Sequence, residues 1–370
     1  MRRLAAAHSP PTGEATRGRR RPGLPGRRGR RARSRWCAVL LVLAAVPTAT
    51  CGVRDAGRTD DAPGLTGARG AAGPRYPVRV LAFAANTGSD TLSAYDARLA
   101  RPLGASPVGN GPTGVGAAPN GDTAYVADSR SDTVSFVDTE TRRVRAAVRV
   151  GDRPFAAVPS RNGARVLTAD SGANTVTAVS VARRRVIAKV PVGRMPHSIV
   201  TVPGGRAYVT DNGSDTVTVI SPGLRAVGVI RVGDFPSGIS ATPRGDRVFV
   251  SNTGSGTVSV ISTASNRVVD VLPAGEAPVG NAVSPDGRSL YAADSTANEL
   301  VITDVGRGRV RAKVPVGVNP QGVAITPDGR RVWVTNEASD TVTVVNPAVL
   351  RDRATLPAGH QPEGIAVTPR

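Results

Sequence analysis

Three histidines occur in the 370 residues, and two of them, His197 and His360, each lie within two residues of a regularly recurring proline, Pro196 and Pro362. Imidazole near carboxylate is a common basis for acid–base or metal chemistry. The acids in matching positions are Glu276 and Glu363, with Arg194, Asp234, Asn281, Asn319 and Gln321 beside them. Together they could form a pocket for a small ligand or a metal. The plainer reading makes them solvated loop residues, because the two histidines stand far apart in the chain. No nucleophile elbow, HExxH, CxxC or phosphate-cradling loop is present. No catalytic residue is therefore assigned, and neither a cofactor nor a bound metal is expected.

The elements that must carry these residues follow from a repeat. Pro112, Pro154, Pro196, Pro236, Pro278, Pro320 and Pro362 are spaced 42, 42, 40, 42, 42 and 42 residues apart. In the fullest copy, from Pro320 to Gln361, four alternating segments (GVAIT, RVWVT, TVTVV, RATLP) are separated by polar turns. Four short β-runs per repeat of about 40 residues describe a propeller blade. The last segment, from Pro362, is a lone inner strand, and residues 77–111 supply the other three strands of a blade. Joining them predicts an all-β, seven-bladed β-propeller over residues 76–370, closed where the C-terminal strand enters the N-terminal blade. One large residue recurs on each second strand: Phe83, Tyr125, Leu167, Tyr208, Phe249, Tyr291 and Trp333. A series present in every blade is scaffold, and inter-blade packing is its expected role. The row Asn86, Asp128, Asp170, Asp211, Asn252, Asp294 and Asn336 is likewise read as structural, with Asx side chains capping the turn after the second strand. A calcium-binding ring is the sharper alternative.

Trp-Val-Thr-Asn (333–336), Tyr-Val-Thr-Asp (208–211) and Phe-Val-Ser-Asn (249–252), each followed by Ser/Gly-Asp/Gly-Thr-Val, resemble the YVTN-repeat β-propellers of YncE and surface-layer type. Four blades depart from the motif. The resemblance implies an exported propeller and little about chemistry, since propellers serve many functions. It points to a binding or interaction module at the cell surface whose partner is a protein or small ligand at the channel face. Seven-bladed lactonases and streptogramin lyases use acidic and histidine groups around the channel. A lactonase- or lyase-like enzyme, or a metal or small-ligand binder, is therefore the alternative.

The net charge of +20 is concentrated in the leader. Residues 1–35 hold twelve Arg against Glu14, so they carry +11, which leaves 20 − 11 = +9 for the rest. An eleven-residue apolar run, Trp36–Val46, follows; it is too short to span a bilayer and fits a secretory h-region. Cys51 after Thr48-Ala49-Thr50 resembles a lipobox, giving a lipidated, exported, membrane-anchored protein, with simple secretion as the alternative. The resulting division is 1–51 leader and signal, 52–75 flexible tether, 76–370 propeller. Arginines of the repeat, among them Arg142, Arg143, Arg145, Arg183, Arg184, Arg185, Arg309 and Arg311, belong to the outer strands and the turns before them. Such charge discourages edge-to-edge pairing and can also face a polyanion or an anionic membrane. Aromatic interleaving for base stacking is absent, which argues against nucleic acid. A monomer is the expected state.

Overall fold

The computed structural model describes residues 79–350 and 353–369. All of these belong to the unit Gly70–Arg370. Leader, tether and Cys51 lie outside the described residues.

Among the described residues, twenty-eight strands form seven four-stranded antiparallel sheets. Blade 2 shows the plan: β4 (Pro112–Ala117), β5 (Thr123–Asp128), β6 (Thr133–Asp138) and β7 (Val144–Arg149), from inside outwards. Blade 3 is β8 (Pro154–Pro159) to β11 (Arg185–Pro191), and blade 4 is β12 (Pro196–Thr201) to β15 (Ala226–Arg231). Blade 5 runs from β16 (Pro236–Ala241) to β19 (Arg267–Pro273), and blade 6 from β20 (Pro278–Val283) to β23 (Arg309–Pro315). Blade 7 runs from β24 (Pro320–Ile325) to β27 (Arg353–Pro357). Blade 1 is assembled from both ends of the described chain. Its outer three strands are β1 (Leu81–Asn86), β2 (Thr91–Asp96) and β3 (Arg101–Pro107), and its inner strand is the last, β28 (Pro362–Val367).

β28 pairs antiparallel with β1, and the Leu81 amide donates to the Thr368 hydroxyl at 2.9 Å. Each inner strand touches the inner strands of both neighbouring blades, and the series closes from β24 through β28 to β4. The protein is a seven-bladed β-propeller. The blade that is two residues shorter keeps four strands, with two of them, β13 (Ala207–Asp211) and β14 (Thr216–Ile220), reduced to five residues.

The core lies between blades, as the recurring large residues predict. Trp333 of blade 7 packs with Ala82, Ala84 and Tyr95 of blade 1, and Tyr291 of blade 6 with Val332, Val334 and Val345 of blade 7. Tyr208 meets Val248, Val250 and Ile261 in the same way. Each aromatic fills the gap that a twisted sheet leaves against its neighbour, and such burial is worth about 3–5 kcal/mol against truncation to Ala.

The Asx row is structural too, although its bonds differ from those expected. All seven side chains are fully buried. Instead of capping only their own turn, most reach the third strand of their blade. Asp128 accepts from Thr133 and Ser135 at 3.0 and 2.7 Å, and also from the Gly109 amide in the preceding blade link at 3.1 Å. Asn86 holds the same place by donating to Thr91 and Ser93, each at 2.9 Å. A hydroxyl can give or take a hydrogen bond, so acid and amide fit equally. Asp294 differs because Glu299 and Val301 offer no hydroxyl; it accepts from the Glu276 and Ala277 amides of the link instead.

Candidate functional site

The site is built from the first residues of each inner strand. In blade 2 the ladder pairs Pro112 with Asp128 and resumes at Val115 with Val126, so Thr113 and Gly114 bulge out of register. Blades 1, 4, 5, 6 and 7 carry the same irregularity after their prolines. In blade 3 the ladder resumes one residue earlier, leaving Phe155 alone in the bulge. Bulges re-aim side chains. Here the residue after each proline is turned toward the ring axis: Glu363, Thr113, Phe155, His197, Val279 and Gln321 all line one cavity of about 240 Å³. Ser237, at the equivalent place in blade 5, is buried and bonds Thr253.

The residues after these are equally telling. Gly114, Gly238, Gly280, Gly322 and Gly364 leave no room for a Cβ, because a carbonyl of the next inner strand lies against each. Blades 3 and 4 carry Ala156 and Ser198 at that position. Their strands therefore accommodate side chains where the other five accommodate none, and this flank of the channel is the looser one.

Glu363 is half-buried in the cavity. Burial, reinforced by the neighbouring Glu337 carboxylate, pushes its carboxyl up to about 7, against the opposing pull of Thr87 and the Arg130 guanidinium. Thr335 fixes its backbone: the hydroxyl accepts from the Gly322 amide at 2.8 Å and donates to the Glu363 carbonyl at 2.5 Å. Glu337 accepts from Asn319 Nδ2 at 2.7 Å, and Asn319 Oδ1 accepts from Gln321 Nε2 at 2.9 Å. His197 is held neutral, its imidazole pushed down to about 4 by burial. Its Nδ1 has no hydrogen-bond partner, and its ring stacks on Phe155 with centroids 4.1 Å apart and planes inclined by 35°. A group that loses its proton near neutrality can act as a general base, and a neutral imidazole presents a face without charge.

The other residues singled out in the sequence are placed differently. His360 is exposed on the rim, its Nδ1 2.8 Å from Asp340 Oδ2, and does not line the cavity with His197. Arg194, Asp234 and Glu276 are exposed in the blade links, while Asn319 is half-buried behind Gln321. Asn281 lines the cavity, but its side chain is engaged with Ser240, Gly238 and Ser251. Among the described residues no cluster of three or more His, Cys, Asp or Glu could hold a metal. The arginine row lies where the repeat puts it, on outer strands and the turns before them. Part of that charge is engaged: Arg142 donates to the Leu103 carbonyl at 2.6 Å, Arg311 to the Pro347 carbonyl at 3.1 Å, and Arg145 pairs with Asp138. Arg143, Arg183, Arg184, Arg185 and Arg309 are exposed.

Sequence reading missed Phe155, Thr113, Thr335 and Glu337. The available signal was positional: the residue following the repeated proline differs in every blade (Glu363, Thr113, Phe155, His197, Ser237, Val279, Gln321), while its neighbours repeat.

With this geometry in place, comparison with known proteins adds the following. Residues 274–349, which span blade 6 and most of blade 7, match the family of seven-bladed β-propeller lactonases. The match includes Gln321 and Glu337 but not Phe155, His197 or Glu363. No curated protein matches the chain. Among solved structures, the periplasmic gluconolactonase of Pseudomonas aeruginosa is 21% identical with a TM-score of 0.65, covering 78% of this chain and 99% of its own. A putative 6-phosphogluconolactonase of Bacteroides uniformis gives 20%, 0.66, 78% and 100%. Hydrazine synthase of Kuenenia stuttgartiensis gives 23%, 0.64, 70% and 91%. At these identities the likeness is one of fold.

Proposed function

We propose that the channel mouth is a hydrolytic small-molecule site and that its reaction is the opening of a cyclic ester by water. The observation that carries this reading is Glu363, a carboxyl in a concave site whose proton leaves near neutral pH. Its carboxylate takes a proton from water as the water oxygen bonds to the ester carbonyl carbon. Collapse of the tetrahedral adduct breaks the ring C–O bond, and the protonated Glu363 returns the proton to the departing alkoxide. The product is a hydroxy acid, and no further reactant is required. The partial family match and the lactonases among the fold neighbours support the choice of substrate.

The test is base-titrated hydrolysis of D-glucono-1,5-lactone by the full-length chain. Glu363→Gln should lower kcat/KM by roughly 10²-fold or more. For the intact protein kcat/KM should rise with pH through about 7, because the base must be ionised. Equal rates for wild type and Glu363→Gln would refute the reading.

We further propose that the propeller is of the YVTN type, exported and anchored through Cys51, with its exposed arginines toward the membrane and the channel mouth outward to meet its partner. The support is the sequence around Cys51 and the exposure of Arg143, Arg183, Arg184, Arg185 and Arg309. Cys51→Ala should release the protein from membranes into the medium; continued co-sedimentation with the membrane fraction would count against the anchor.

A further inference from the structure

Two features of the cavity reach beyond hydrolysis as such. The first is aromatic. Phe155 and His197 are stacked, both line the cavity, and neither is fully buried. They stand on the flank where Ala156 and Ser198 replace the glycines of the other blades. An outer face of this stack, beside the looser part of the propeller ring, can accept the face of a ligand ring.

The second feature is charge. No Lys or Arg lines the cavity, and Glu363 is its sole acid. Glu337 adds negative potential at Glu363, and Arg130 opposes it from an exposed turn. Arg153 and Arg194 are likewise exposed on the rim. The neutrality of His197 removes the only other cation that could form within the cavity. An anionic group brought inside would lose water and meet a carboxylate in place of a cation.

We propose that the molecule held at the channel mouth is an uncharged saturated ring, packed against an outer face of the Phe155–His197 stack with its hydroxyls toward Glu363 and Gln321, and that the phosphorylated form of the same ring is rejected. This rests on the hydrolytic reading for the choice of ring, and it separates this chain from any relative that acts on a phosphorylated sugar lactone.

The experiment is titration calorimetry of the full-length protein with D-glucono-1,5-lactam, a ring that is not hydrolysed, and with its 6-phosphate. The lactam should bind, and the 6-phosphate should bind at least about tenfold more weakly, the equivalent of about 1.4 kcal/mol. Phe155→Leu, which keeps an apolar side chain and is checked by its melting temperature, should weaken the lactam about 3- to 10-fold through loss of the stacked ring. Equal or tighter binding of the phosphate, no binding of the lactam, or a lactam affinity unchanged in Phe155→Leu would each overturn the proposal. The hydrolytic reading fails separately: the lactam would bind as described while lactone opening was indifferent to Glu363→Gln.

Discussion

Asp128 shows how one buried carboxyl sets a pH dependence that its Asn counterparts avoid. Burial raises its pKa from 3.8 to about 6, although Ser135, Thr133 and the Gly109 amide all donate to the carboxylate and pull the other way. A carboxyl whose folded-state pKa is raised holds more protons folded than unfolded, so its contribution to stability is greatest near pH 4 and is lost as pH rises through 6. Each pKa unit corresponds to about 1.4 kcal/mol, so the loss is of order 2–3 kcal/mol. Blades 1, 5 and 7 carry Asn at this place, donating to the same pair of hydroxyl positions. Asp128→Asn should therefore fold, should be more stable than wild type at pH 7, and should lose part of the decline between pH 4 and 6. Asp170 and Asp211, also raised by burial, would retain the remainder. Urea denaturation at pH 4, 5, 6 and 7 measures this, and an unchanged slope in the variant would show that Asp128 titrates normally.

Individual strands were legible to very different degrees. The second and third strands announce themselves by alternation, since one set of side chains must enter each inter-blade gap. The inner strands carry the site, and their proline spacing reveals where they start. The bulge after each proline is written in no residue type, because Thr113, Phe155, His197 and Glu363 adopt it alike. Phe155 belongs to no recurring row and Thr335 to a repeated motif; the closeness of neighbouring inner strands places one in the channel and the other against the Glu363 backbone. His360 and His197 looked equivalent by spacing from their prolines. They differ because one precedes the proline, in the link, and the other follows it, in the bulge. The outer strands show a similar split. Exposed Arg and Lys cover β23 (Arg309–Pro315), as expected for edge protection, whereas Val227 and Val229 of β15 and Val269 and Val271 of β19 stay exposed on adjacent blades. Charge as a guard of free edges is therefore not applied uniformly around this ring.

At the scale of the molecule, one strand both closes the ring and supplies the acid of the candidate site. β28 completes blade 1, places Ile365 in the core shared with Trp333 and Tyr95, and carries Glu363 into the cavity. It arrives from the far end of the sequence, so the ring cannot close until the last blade is made. Sequence-distant pairing of this kind forms late, since loop-closure entropy precedes its reward. Truncation after Gln361 would leave β1 without its inner neighbour and the Leu81 amide without the Thr368 hydroxyl. It would also part β24 from the strand against which Gly322 is closely packed. Without β28 the β1 edge is left unpaired, and exposed strand edges recruit other chains. The truncated protein should therefore lose several kcal/mol of stability, in line with losing a whole core strand, and should associate on size-exclusion chromatography. If the proposed lactone opening holds, its rate in the truncated protein should fall at least as far as in Glu363→Gln. Adding the peptide Pro362–Arg370 in excess should restore the monomer if closure is the cause. A truncated chain that stayed monomeric and melted like the intact one would show that six blades and three strands suffice, and that β28 is present for Glu363 alone.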